Sequence, residues 1–271
     1  MPAANPARPF GLSFSTASAG DIAGMAVMEP RSASEGVALV VTPNIDHIAW
    51  LRRSPAMARA YAGAAVIVCD GWPVRFYARV RGLPVNRVTG CEIASLIMRA
   101  DLDVSRHRLF FVVDRAQTEA SLRDWARSRG FAGIVGAAIP PFGFEDNDAL
   151  CRDLAMRIAA HETTILLMGV GAPRSEIFVN QYQAWLPPCW AFCVGQAIKI
   201  ELGLVARAPR VWQASGMEWM WRVAQEPRRL TGRYMRSSLA FLAAVVEDLW
   251  RSRTQRRPAE GKPHLAEGNR P

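Results

Sequence analysis

Four short polar clusters, each directly after an apolar run, hold the side chains best suited to chemistry: Thr42-Pro43-Asn44, Asp70-Gly71, Gly169-Val170-Gly171-Ala172-Pro173 and Gly195-Gln196. Asp70 follows AAVIVC and precedes a glycine, so its carboxylate is expected to emerge from the interior at a strand end. A carboxylate partly withdrawn from water gains basicity and can take a proton from a hydroxyl group. An aspartate that only caps the next helix fits the same position. Thr42 and Asn44 carry the same pair of readings, as site residues or as turn and cap residues. GVGAP runs into Arg174-Ser175-Glu176. Glycines let a backbone approach a ligand and a helix start attracts phosphate, so a phosphate cradle and a plain tight turn both fit. The segment is not GxGxxG, because Arg174 stands where the third glycine belongs, and it lacks the GK[ST] of a P-loop. Asp101-Leu102-Asp103 has the DxD form that can hold a divalent ion, but it precedes a strand and reads as a solvated loop.

The elements that must position these clusters alternate along the chain. Apolar, β-branched runs at 37–43, 64–69, 108–113, 133–139, 163–170 and 189–195 read as strands. Segments with helical spacing lie between and after them, at 45–60, 73–80, 90–101, 115–129, 145–160 and 173–184. This βα alternation predicts an α/β fold, a Rossmann-like parallel sheet flanked by helices, with GLSFSTAS at 11–18 as an added edge strand. In such sheets ligands bind beyond the carboxyl ends of the strands, where all four clusters would meet. After Gly203 the pattern is helical throughout, so the chain divides into an α/β domain over 1–203, a C-terminal helical appendage over 204–252 and a disordered tail over 253–271. Pro227 is expected to break the appendage into two helices. Met217, Met220, Trp221 and Val223 read as its packing face, and Arg222, Arg229, Arg233 and Arg236 fall near one stripe.

Composition narrows the partners. The 271 residues carry 33 Lys and Arg against 24 Asp and Glu, a net charge of +9, and much of the excess lies late in the chain. Polyanions such as nucleic acid, anionic lipid or diphosphates are therefore favoured, and the mixing of arginines with tryptophan and aliphatic residues suits lipid better than nucleic acid. Five cysteines without CxxC spacing read as buried cytosolic thiols, and four scattered histidines assemble no zinc set, so neither metal nor cofactor is expected. No run approaches the ~20 apolar residues of a membrane span, and no leader pattern opens the chain. The expectation is a cytoplasmic protein, peripheral on the inner face of the membrane.

Taken together, the motifs resemble the WecG/TagA/CpsF glycosyltransferase family from about Val37 to Leu249. TPNIDH, VIVCDGWPV and NRVTGCEI correspond to its T-x-N, DG and R-V-x-G-x-D patterns, and RAPRVWQASGMEWMWRVAQEPRRLTGRY follows its R-A-P, G-x-E-W and E-P-x-R-L-x-x-R-Y. The resemblance implies an inverting, metal-independent transferase that takes a sugar from a UDP-sugar donor to a polyprenyl-diphosphate-linked acceptor in cell-surface polysaccharide synthesis. It implies Asp70 as base with Thr42 beside it. Substrate contacts would come from Asn44, Gly71, Arg87, Gly90, Gly169, Gly171, Pro173, Ser175, Glu176, Gly195 and Lys199. Arg222, Arg229 and Arg233 would meet the lipid diphosphate at an anionic membrane surface, and a homo-oligomer is compatible with the pattern. The chain departs from the family at Ser175, where a glutamine is usual, at Lys199 and Glu92, where aspartates are usual, and at VVDRAQ, which lacks the glycines expected after the third strand. Altered donor specificity with Asp70 chemistry retained is the expectation. A non-catalytic scaffold of a polysaccharide assembly complex and a nicotinamide-binding Rossmann oxidoreductase remain the competing readings.

Overall fold

The structure, a computed structural model, describes residues 8–214 and 218–255. Six parallel strands form one sheet: β1 (Ala38–Val41), β2 (Val66–Ile67), β3 (Leu109–Val112), β4 (Val135–Ala138), β5 (Ile165–Met168) and β6 (Trp190–Cys193), in the order β2-β1-β6-β5-β3-β4. β1, β3, β5 and β6 are buried along their whole length, as expected of a parallel sheet covered on both faces. All six strands lie where the apolar runs predict them, and the Rossmann-like α/β reading holds. The order places β2, β1, β6 and β5 side by side, so the four polar clusters all leave from neighbouring strand ends.

Helices cover both faces: α1 (Ala19–Met28), α2 (Ile45–Arg53), α3 (Pro55–Ala62), α4 (Trp72–Val80), α5 (Gly90–Arg99), α6 (Ala116–Ser128), α7 (Asp148–Ala160), α8 (Arg174–Gln181) and α9 (Ala197–Glu201). The single helix expected over 45–60 is two, because Ser54 caps a new start and Pro55 occupies its first turn. The edge strand expected at 11–18 does not form. Only the Ser15 amide reaches the sheet, donating to the Ile67 carbonyl, and the chain then turns into α1, whose Ser18 and Asp21 form a reciprocal cap. That helix went unread because its inward residues Ile22, Ala23 and Ala26 are mostly small and interrupted by glycine.

Beyond the sheet come α10 (Arg210–Ala214), α11 (Glu218–Gln225) and α12 (Pro227–Gln255). Pro227 separates α11 from α12 as expected, sitting at the start of the second helix where its missing amide proton costs nothing. α12 lies along α2 and buries Leu230, Ser237, Phe241 and Ala244, the last two within the core that backs β1 and β5. Asp248 ties its far end down, accepting hydrogen bonds from the Phe10 amide at 2.9 Å and the Tyr77 hydroxyl at 2.6 Å and pairing with Arg81. Among the described residues no helix is long and apolar enough to cross a membrane. Met217 and the tail from residue 256 onward lie outside the described residues, and Arg229 belongs to α12 with its side chain likewise outside them.

Candidate active site

Asp70 leaves the end of β2 just before Gly71, whose φ of 85° turns the chain into α4. Gly71 is the cap position of α4 and no side chain caps that helix, so Asp70 does not serve as a cap. The carboxylate instead forms part of the wall of a cavity of about 100 Å³, with Thr89, Cys91, Gln196, Arg207, Glu218, Arg222 and Gln225 among the other walls. Protein encloses Asp70 on its remaining sides, and this burial pushes its carboxyl up to about 6 against the opposing pull of Arg87. Glu218 and Glu92 push in the same direction as burial, and His47 opposes it.

Arg87 is positioned by its own backbone, which bridges to Cys69 beside Asp70. Its guanidinium donates to Glu218 of α11 at 2.8 Å and to the Gln213 carbonyl at 3.3 Å, so the segment after the sheet is held over the rim. Arg222, also on α11, donates to Gln196 at 2.5 Å. Two of the clusters, at the ends of β2 and β6, thus share one cavity under α11.

The other two sit beside it without lining it. Thr42 is 5% exposed, with its hydroxyl donating to the Cys193 carbonyl at 3.4 Å. Gly90 starts α5 against it: a side chain there would lie 3.4 Å from the Thr42 hydroxyl and 3.3 Å from the Val194 Cα. Asn44 is the cap of α2, its Oδ1 accepting from the amides of Asp46 and His47. In the glycine turn, Ser175 is buried and both its amide and hydroxyl donate to the Gly171 carbonyl, closing the turn on itself. Gly171 and Gly195 both adopt positive φ, the Ala172-Pro173 peptide is cis, and a side chain on Gly195 would point at the Gly171 Cα, 4.0 Å away. A side chain at Gly169 would meet Ile198 at 2.9 Å.

Glu176 is 1% exposed and contacts His47 Nε2 at 3.3 Å, while His47 Nδ1 lies 2.9 Å from Asn44 Oδ1. Burial alone would lower the His47 ring, but the hydrogen bond to Glu176 and the charges of Glu176, Asp46 and Asp70 outweigh it and raise it above its ordinary value. Lys199 donates to Asp114 at 2.7 Å, which joins two of the departures from the family pattern, the residue in α9 and the loop after β3, in one ion pair. Arg233 faces Asp46 of α2 at 3.9 Å, beside the Ser237 hydroxyl that bonds the same carboxylate. The DxD segment lies away from the rim, where Asp103 accepts from Ser105 in an exposed turn. Among the described residues no three His, Cys, Asp or Glu side chains converge as a metal cluster would.

Sequence reasoning passed over His47, Thr89, Arg207 and Glu218 as site residues. His47 and Glu218 were both within recognised motifs, TPNIDH and GMEW, but their roles depend on partners from other elements.

Fold and rim define a Rossmann-like α/β protein with a cavity beyond the strand ends, where sheets of this kind bind ligands. Residues 8–255 match the model of the glycosyl transferase WecG/TagA/CpsF family, and the chain belongs to that family. It is therefore a glycosyltransferase, and membership supports a role in cell-surface polysaccharide synthesis, with a sugar-nucleotide donor and a lipid-linked acceptor in general terms.

Proposed function

We propose that the chain transfers a sugar, with inversion, from a UDP-sugar to a polyprenyl-diphosphate-linked saccharide, with Asp70 as the base. The observation that carries this reading is the placement of Asp70 at a strand end in the wall of a cavity also lined by Arg207 and Arg222, where burial pushes its carboxyl up to about 6. A base of that strength is ionised at neutral pH and still able to hold a proton in the transition state. The acceptor hydroxyl gives its proton to Asp70 as its oxygen bonds to the anomeric carbon from the face opposite the nucleotide. The bond from that carbon to the diphosphate breaks, and the electron pair leaves on the phosphate oxygen. Fixed cations stabilise that developing charge most where water is thinned out, which is the role of Arg87 and Arg222, with the exposed Arg207 at the edge of the same cavity. Arg87 exchanges Glu218 for phosphate in this scheme.

Attachment to a membrane surface is supported by α12, whose side away from the core exposes Met235, Leu239, Leu242, Val246 and Trp250. Arg229 and Arg233 near the start of the same helix suit the diphosphate of a lipid lying there. The Lys199–Asp114 pair beside the rim supports a donor preference that differs from relatives with an acid at position 199. Nucleotide release across a set of UDP-sugars, with a diphosphate-lipid acceptor, tests the reading. Turnover by the wild type and a large loss of it in Asp70→Asn are expected; turnover unaffected by that change removes Asp70 as base, and its absence in the wild type with every donor and acceptor favours a scaffold.

A further inference from the structure

The His47 ring is placed between two acceptors. Asn44 Oδ1 takes hydrogen bonds from the amides of Asp46 at 2.9 Å and His47 at 3.4 Å, so this atom is the amide oxygen; His47 Nδ1 lies 2.9 Å from it and 3.4 Å from the Asn44 backbone amide, and the shorter contact is the one that a proton on Nδ1 satisfies. Nε2 faces a carboxylate oxygen of Glu176 at 3.3 Å and needs a proton as well. The other oxygen of Glu176 is buried without a hydrogen-bond partner, and so is the nearby Tyr61 hydroxyl. This carboxyl group, 1% exposed, therefore has the His47 ring as its hydrogen-bond partner. An enclosed anion is costly unless a cation meets it, and a doubly protonated ring meets that need here.

We infer that His47, kept as an imidazolium by Asn44 and Glu176, is a positioning residue for the base: it fixes the first turn of α2 and sets a positive charge near Asp70, whose amide donates to the Pro43 carbonyl just before Asn44 at 3.2 Å. This rests on the reading of Asp70 as base. The groups facing His47 are Asn44 and Asp46 from α2, Glu176 from α8 and Asp70 from the end of β2, and Asp46 is itself engaged by Arg233 and Ser237 of α12. Those facing Asp70 are Arg87, Glu218, His47 and Glu92, with Arg207, Arg222 and Cys91 in the same cavity wall. Removing the imidazolium takes away one of the cations about Asp70, which then holds its proton to higher pH.

Nitrogen NMR of histidine-labelled full-length protein at pH 7.5, with the His47 signals assigned by their loss in His47→Gln, reads the charge directly. Both ring nitrogens protonated supports the inference; a neutral ring overturns it, even if the variant does not fold. Carbon NMR of the Asp70 carboxyl should show its midpoint rising by about half to one unit in His47→Gln, as expected for loss of a nearby opposite charge. An unmoved midpoint overturns the inference. The acid limb of the rate profile should move up by the same amount. If the carboxyl midpoint moves and the rate profile does not, the charge placement stands and the assignment of Asp70 as base fails.

Discussion

The two ends of the sheet carry the same kinds of charged side chain in opposite settings. Beside β3 and β4, on α6 and α7, the pairs Glu119–Arg123, Asp124–Arg127 and Asp148–Arg152 follow helical spacing in solvent. Beyond β2, β1 and β6, the charges of Asp70, His47, Glu176 and Arg87 are enclosed and meet partners from distant elements. Water screens the first group until each pair contributes little, while thin solvation magnifies every charge in the second. Electrostatic free energy is concentrated around the proposed base.

Asp70→Asn probes that contrast most strongly. Turnover should fall about 10²–10⁴-fold, the usual range for loss of a positioned base. Stability should move the other way. The folded protein holds the Asp70 proton up to about 6, above the ordinary 3.8, so stability is greater at low pH and declines as pH rises through that window. At pH 8 the variant should be more stable, by on the order of 1–2 kcal/mol after allowance for the carboxylate's contact with solvent, as thermal unfolding would register. An equal melting temperature at pH 8 would show that the carboxylate is not penalised by its surroundings.

Arg87→Gln should lower kcat roughly 10²-fold, since it removes a donor for the leaving diphosphate. A change in KM alone would assign Arg87 to ground-state binding. Gly169→Ala places a methyl 2.9 Å from Ile198 Cδ1 and 3.0 Å from the Val112 carbonyl, and should cost about 1–3 kcal/mol in denaturant unfolding. At the solvent-facing end, Arg127→Ala should change stability by less than about 0.5 kcal/mol, and a larger loss would blur the distinction between the two regions.

Local pattern carried the fold well because each buried strand is a continuous apolar run, and a run of that kind needs no knowledge of its neighbours. It failed where the pattern was weak or shared: α1 buries small residues, and the alternation in GLSFSTAS resembles a strand although the segment gives the sheet a single hydrogen bond. At the site, Asp70 was legible because an acid ending an apolar run must surface at a rim. The engagement of Lys199 by Asp114 and of Glu176 by His47 was not legible, since each joins residues far apart in sequence whose meeting depends on strand order. Asn44 was readable both as cap and as site residue; it caps α2 and through the same oxygen holds His47.

The central claim is that Asp70 takes the acceptor's proton. Nucleotide release with a diphosphate-lipid acceptor, followed from pH 5 to 8 in the wild type and in Asp70→Asn, tests it most directly. The account predicts wild-type turnover rising through a midpoint near 6 to a plateau, and no comparable rise in the variant. A wild-type profile flat across that range, or a variant that retains the same rise, would contradict it.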